Sequence, residues 1–126
     1  MVILAVSAIG CRSRVDPRLA RMKAARHTLT AAGHASPFER ASAPDVRLDV
    51  DLGGAPVGVA VDLTCEWMMP SGGAAHENRW TTKAIDRDPW PTHCHWALGS
   101  ESPTGTWTVA MKQDGRVLVA EPFELR

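Results

Sequence analysis

The chain has 126 residues, which is enough for one ordinary domain and too few for two well-buried ones. Its apolar fraction of 44% is typical of a folded globular protein, and its net charge of zero gives no overall field that would attract nucleic acid, so we expect no nucleic-acid partner. The charges are unevenly distributed along the chain, because residues 1–40 carry a net charge of +5 and residues 41–126 a net charge of −5. This division predicts a basic arm attached to an acidic domain.

The first eleven residues form an apolar, uncharged segment that is too short to span a bilayer as a helix, since a span needs about 20 apolar residues. The segment has the length and the small-residue ending of a signal peptide. The Ser-Ala-Ile-Gly-Cys run that ends at Cys11 resembles a bacterial lipobox, whose cysteine is cleaved and acylated. The resemblance implies an exported protein, either periplasmic or anchored in the membrane as a lipoprotein through Cys11. The alternative is a buried N-terminal strand, because Val2, Leu4 and Val6 alternate.

Residues 12–44 are interpreted as a basic arm followed by a linker. A helix is predicted from Asp16 to Gly33, because a capping carboxylate precedes Pro17 at its start and a glycine ends it. We expect this helix to be solvated or part of a tether, with docking on an anionic membrane as the less favoured alternative, because its apolar face is thin. Residues 33–45 are rich in Gly, Ser, Ala and Pro and indicate a linker. The apolar residues of the predicted helix recur at spacings of three and four: Leu19, Met22, Ala25 and Leu29.

Residues 45–126 alternate apolar and polar side chains with the period of two that is typical of strands. We expect a tight turn at Asp114-Gly115 between the last two strands, and irregular structure over residues 88–91, because two prolines cannot lie in a central ladder. Six or seven strands at regular spacing predict a β-sandwich. The remaining strands are predicted over residues 46–52, 57–67, 79–85 and 93–98. The side chains expected in the core include Val59, Val61, Leu63, Trp96, Trp107 and Val109.

The last part of the chain carries the pattern Pro103-x-Gly105-x-Trp107-x-Val109, followed by the turn and by Phe123-x-Leu125. This pattern is similar to the last two strands of many bacterial immunoglobulin-like accessory domains. The predicted fold is therefore all-β: an immunoglobulin-like β-sandwich of six to seven strands with a basic, partly helical N-terminal arm. The predicted organisation is a signal or lipobox-like segment over residues 1–11, the arm and linker over 12–44, and the sandwich over 45–126.

Cys65 and Cys94 fall on the core-facing positions of two different predicted strands. In an oxidising compartment they can form a disulfide bond, and the pair is loosely similar to the cysteines that join the two sheets of immunoglobulin-like sandwiches. The alternative is that both remain thiols and pack as small hydrophobic side chains.

His93 and His95 share one face of a predicted strand and form half of a zinc or copper site. A complete site needs further ligands, for which His76, Met68 and Met69 are candidates. The favoured interpretation is that the two histidines face solvent, so we expect no cofactor.

Trp90 lies between two prolines, in a predicted loop where burial is difficult. A rigid loop tryptophan with a polar rim of Asp86, Arg87 and Asp88 is suited to a protein contact or to sugar stacking. The alternative is a ring that folds over the end of the sandwich.

None of the common catalytic motifs is present, so we expect no enzyme activity. The sequence predicts a non-catalytic β-sandwich module, exported or lipid-anchored, that makes protein–protein contacts in the cell envelope. The alternatives are a glycan-binding module that uses Trp90 and a periplasmic metal-binding protein that uses His93 and His95. The expected partners are an envelope protein or a glycan, and a membrane only through a lipid anchor at Cys11.

Overall fold

The computed structural model describes residues 16–126, so the predicted signal segment and Cys11 lie outside the described residues. One antiparallel sheet has the strand order β1-β2-β5 and the other has the order β4-β3-β6-β7, which confirms an all-β sandwich of seven strands. Two short 3-10 helices, Pro17–Arg21 and Arg40–Ser42, flank β1, and no helix among residues 16–126 is long and apolar enough to span a bilayer. The strands are β1 Lys23–Ala31, β2 Asp45–Gly53, β3 Asp62–Met68, β4 Ala74–Thr81, β5 Trp90–Ala97, β6 Gly105–Gln113 and β7 Arg116–Leu125.

The core lies between the two sheets and follows the predicted alternation. Along β2 every second side chain is buried, and the same holds for β3, where Trp67 has no exposed surface. Trp67 packs edge-on against Phe123 with 6.2 Å between ring centroids, and Phe123 stacks on Trp107 at the same separation. Val61, Leu63, Trp107 and Val109 are buried as predicted, whereas Val59 and Trp96 are half-buried.

A disulfide bond between Cys65 on β3 and Cys94 on β5 joins the two sheets through the core. Their Cα atoms are 6.4 Å apart, within the usual range for a disulfide bond, and the bond confirms the predicted pairing. Disulfide bonds persist in oxidising compartments, so this bond indicates an extracytoplasmic location.

The N-terminal arm is helical only over Pro17–Arg21, and the predicted helix does not continue to Gly33. Lys23–Ala31 instead form strand β1, which pairs along its whole length with β2. The helical spacing of the apolar residues was misleading, because β2 needs a partner on this edge and the ladder hydrogen bonds outweigh the weak helix signal. Met22, between the 3-10 helix and β1, has no exposed surface.

The predicted linker over residues 33–45 is also corrected, because part of it pairs with the other sheet. The Phe38 N–H donates to the carbonyl oxygen of Glu124 at 2.8 Å, and the Arg126 N–H donates to the carbonyl oxygen of Phe38 at 2.9 Å. The Phe38 ring is buried against Phe123, with 5.7 Å between ring centroids. The sandwich therefore includes residues that the sequence analysis assigned to the arm and the linker, and its boundary lies before residue 45.

Three strand boundaries differ from the prediction. Strand β3 begins at Asp62 rather than at residue 57, and β4 covers Ala74–Thr81 rather than residues 79–85. Strand β5 begins at Trp90, within the segment predicted to be irregular. It tolerates Pro91 because it is an edge strand. The carbonyl oxygen of His95 accepts from the Asn78 side chain rather than from β2, so it faces away from the β2–β5 ladder. The direction of the backbone groups repeats every second residue along a strand, so the nitrogen of Pro91 also faces away from this ladder.

The antiparallel register gives the sandwich two ends, which define the surfaces described below. The proximal end is where the described chain begins at Asp16 and comprises residues 16–23, 53–62, 82–90 and 113–117. The distal end is opposite and comprises residues 31–45, 68–74, 97–105 and 125–126. The turn at Asp114-Gly115 belongs to the proximal end and has the predicted positive φ angles, 50° and 78°.

Candidate functional site

Trp90 lies at the proximal end, where β5 begins opposite Leu52 of β2. Its side chain is half-buried and packs against the edge of the core. Two cations approach the ring: the Lys83 Nζ is 5.5 Å and the Arg87 Cζ is 5.7 Å from its centroid. The ring is therefore not an exposed loop tip. A sugar could stack on a covered face of the ring only by displacing the Lys83 or Arg87 side chain.

The two aspartates of the predicted Trp90 surface have different roles. The Asp88 carboxylate accepts from the Gly54 N–H at 3.0 Å and so fastens the 82–89 loop to the end of β2. Asp86 pairs with Lys83 at 3.4 Å, and both side chains are well exposed. The structure thus brings Trp90, Asp86, Arg87 and Asp88 to the same end of the molecule, and their role as a partner-binding surface stays a prediction.

His93 and His95 lie side by side on the outer face of β5, with 6.3 Å between ring centroids. The His95 Nδ1 lies 3.0 Å from the Asp45 carboxylate, so its tautomer is set by that partner. His76 does not form a metal-binding group with the pair and instead stacks on Trp96, with 4.9 Å between ring centroids. Within residues 16–126 no group of three His, Cys, Asp or Glu side chains is placed to hold a metal ion.

An open groove of about 820 Å³ lies at the distal end, and we call it the distal groove. One wall is the connection between β1 and β2, and the other is the outer face of β2 and β5. Its apolar lining comes mainly from small side chains, prolines and the edge of Phe38. Its polar rim consists of His34, Glu39, Asp45, Arg47, His93 and His95.

The connection that walls the groove is held by several backbone contacts. A tight turn follows β1, with positive φ angles at Ala32 and Gly33, and the backbone groups of Ala31 and His34 exchange two hydrogen bonds of 2.9 Å. Further along, the carbonyl oxygen of Pro44 accepts from the Leu98 N–H at 2.9 Å. The Arg40 guanidinium donates to the carbonyl oxygen of Ser102 at 3.1 Å. The groove is therefore formed by a segment fixed at both ends, so little chain entropy is lost when a ligand binds.

The polar side chains that line the groove include paired groups. Arg47 is paired with Asp49 at 2.9 Å, and His95 is paired with Asp45, so the rim offers paired charges around an apolar floor. An apolar centre with a polar rim is the usual anatomy of a protein–protein contact.

At the proximal end, one carboxylate is electrostatically perturbed. Asp16 caps the first 3-10 helix by accepting from the Arg18 N–H at 2.9 Å and is paired with the Arg18 guanidinium at 2.8 Å. Hydrogen bonding from the Arg18 side chain lowers the pKa of Asp16 below its ordinary value of 3.8. Arg18 also donates to the carbonyl oxygen of Val57 at 3.1 Å, so this pair attaches the helix to the 53–62 loop.

The fold has counterparts among solved structures. It is similar to an immunoglobulin-like protein from Pseudomonas aeruginosa, with a TM-score of 0.60 and 14% sequence identity over 83% of this chain and 96% of that one. It is also similar to a chain from Bacteroides fragilis provisionally assigned as a β-galactosidase, with a TM-score of 0.51 and 16% identity over 79% of this chain. This chain spans only 16% of that larger protein. No known protein family and no curated protein matches the sequence.

At these identities the similarity shows the fold alone, an immunoglobulin-like β-sandwich, and confirms the fold expected from the C-terminal pattern. The distal groove was missed by the sequence analysis because it is formed by the segment interpreted as a linker. One signal was available: Phe38 interrupts the Gly, Ser, Ala and Pro residues, and a large aromatic side chain is unusual in a solvated linker.

Proposed function

We propose that this chain is a non-catalytic, exported binding module of the cell envelope that holds a segment of a partner protein in the distal groove. The observation that carries the proposal is the groove itself, a preformed concavity of about 820 Å³ with an apolar floor and a polar rim. The immunoglobulin-like fold and the disulfide bond support an extracytoplasmic module of this kind.

The position of the groove also supports the proposal. Asp16 is at the opposite end of the sandwich, and Cys11 precedes Asp16 by only five residues. A lipid anchor at Cys11, if the lipobox resemblance holds, would keep the proximal end within about 18 Å of the membrane, the reach of five extended residues. The distal groove would then face away from the bilayer, towards soluble partners or other envelope proteins.

Two other functions remain as weaker proposals. Glycan binding at Trp90 requires an accessible ring face, and Lys83 and Arg87 lie over this ring. Metal binding at His93 and His95 requires a third ligand, and no group of three His, Cys, Asp or Glu side chains within residues 16–126 is placed to hold a metal ion. A metal analysis of purified protein and a fluorescence titration with glycans distinguish these functions from protein binding.

The proposal is tested by photo-crosslinking in the producing cell. A photoreactive residue is placed at Ser42 or at His93, both exposed and lining the groove, and at Ala120 on the outer face of β7 as the matched control. We expect an adduct with one defined protein from the groove positions and not from Ala120. Equal adducts from all three positions, or none from the groove, would overturn the proposed function.

A further inference from the structure

The proximal end carries exposed hydrophobic and cationic side chains that have no role in the proposed function. The large hydrophobic side chains that are exposed among residues 16–126 are Val57 and Val117, at 50% and 52%. Both belong to the proximal end, which also carries Trp90 with its two cations. Exposed aliphatic side chains, a tryptophan and long cationic side chains at one end of a domain are features of proteins that insert into the interface of a bilayer.

The proximal end is physically continuous. The Arg116 guanidinium donates to the carbonyl oxygen of Leu19 at 2.7 Å, which attaches the β6–β7 turn to the first 3-10 helix. Arg18 of that helix holds the 53–62 loop through Val57. This loop in turn exchanges backbone hydrogen bonds with Ile85, at 2.7 Å from Gly58 and 3.0 Å to Val59. Val57, Val117 and Trp90 are therefore carried by segments that support one another.

The charges at this end leave several cations available. Its carboxylates are mostly engaged: Asp16 with Arg18, Asp86 with Lys83, Asp62 with the Thr81 hydroxyl, and Asp88 with the Gly54 N–H. Arg21, Lys23 and Arg87 form no ion pair with any described residue. The cationic side chains of the end are Arg18, Arg21, Lys23, Lys83, Arg87 and Arg116, and its carboxylates are Asp16, Asp62, Asp86, Asp88 and Asp114.

The chain that leads into this end adds positive charge close to the surface. Arg12 and Arg14 precede Asp16, and no acidic residue occurs before it. Each Lys or Arg side chain near an anionic bilayer strengthens the binding of a protein to that bilayer by about fivefold, which corresponds to about 1 kcal/mol. The cations of this end that form no ion pair with a described residue, Arg21, Lys23 and Arg87, therefore favour an anionic lipid surface as its occupant.

We propose that the proximal end of the sandwich is a membrane-docking face, in which Val57 and Val117 enter the interface of an anionic bilayer and Arg87, Arg21 and Lys23 contact lipid headgroups. This docking is a property of the folded domain and does not require acylation. It orients the distal groove away from the bilayer whether or not Cys11 carries a lipid.

The test is vesicle flotation with the full chain, in which Cys11→Ser removes any acylation. We expect binding to phosphatidylglycerol-containing vesicles that weakens with added salt, and little binding to pure phosphatidylcholine vesicles. Arg87→Glu should weaken binding at least about fivefold. Arg126→Glu at the distal end, which has the same change of charge, should leave binding unchanged. Circular dichroism of each variant checks that it is folded.

A second pair of variants tests insertion of the apolar side chains. The double variant Val57→Asp and Val117→Asp should lose binding to the phosphatidylglycerol vesicles, whereas Ala97→Asp, exposed at the distal end, should keep it. The proposal is overturned if the parent chain does not bind anionic vesicles, or if the proximal and distal variants lose binding equally. It is also overturned if Arg87→Glu and the double valine variant both bind like the parent chain. The last result would place membrane affinity in residues 1–15. None of these results affects the crosslinking test of the groove.

Discussion

Met22 is the residue that ties the N-terminal segment to the core, because its side chain has no exposed surface and belongs to the buried cluster. Met22→Ala should lower the free energy of unfolding by about 2–5 kcal/mol, since the transfer energy of the side chain is lost and a cavity remains. Urea denaturation measures this change. Arg21→Ala, whose side chain is exposed, is the neighbouring control and should change stability by no more than about 0.5 kcal/mol. Equal stability of the two variants would show that the segment is not part of the core.

Asp16 gives a prediction that depends on pH. Its pKa is lowered by Arg18, so its ionised form is favoured in the folded state. The stabilising contribution of the pair is therefore present at neutral pH, above the ordinary value of 3.8, and is lost as the pH falls through the lowered pKa. An NMR titration of the Asp16 carboxyl and of the Arg18 amide should give a midpoint below 3.8. In Arg18→Ala the midpoint should return to the ordinary value, and an unshifted midpoint in the parent chain would contradict the pairing.

At the scale of elements, β1 is the part of the fold that the sequence analysis missed. Leu19, Met22 and Leu29 recur at helical spacing, but the buried positions of β1 follow the pairing with β2 rather than that spacing. Local helix propensity is a weak signal, and the need of β2 for a ladder partner outweighs it. The pairing with β2 could not be seen in a short window of the sequence.

Deleting residues 1–44 should prevent cooperative folding. The deletion leaves β2 with an unpaired edge and removes Met22, Ala31 and Phe38 from the core. This reverses the expectation of an independent arm, for which the melting temperature would be nearly unchanged. Calorimetry should show no unfolding transition, or one lowered by far more than the transition of the Met22→Ala variant. A transition close to that of the full chain would restore the interpretation as a separate arm.

The strands with clear alternation were predictable, and so was the disulfide bond. Cys65 and Cys94 have the parity of their buried neighbours on β3 and β5, which is why their proximity could be inferred from position alone. Trp90 was assigned to a loop because of its two prolines, but Pro91 lies on an edge strand whose free side needs no N–H. The candidate site was less predictable than the fold, since the groove depends on how residues 31–45 fold back over two sheets.

At the scale of the whole molecule, the disulfide bond joins two sheets whose strands do not pair with each other. It links residues 29 apart in sequence, so in the chain-entropy description it stabilises the fold by about 3–4 kcal/mol. Reduction, or the double variant Cys65→Ala and Cys94→Ala, should lower the free energy of unfolding by about that amount. Urea denaturation with and without reductant measures the difference. Identical curves would show that the bond is absent from the folded protein or adds nothing to its stability.

The two ends give the module a direction, with the proposed membrane face at one end and the distal groove at the other. The central claim is that the groove holds the partner. It is tested most directly by calorimetry with the protein that photo-crosslinking identifies, using His93→Trp to fill the groove and Ala120→Trp as the matched control on β7. We expect the larger ring of His93→Trp to exclude the partner and to weaken binding by at least about 30-fold, which corresponds to about 2 kcal/mol, and Ala120→Trp to leave binding unchanged. Unchanged affinity in folded His93→Trp would contradict the assignment of the groove.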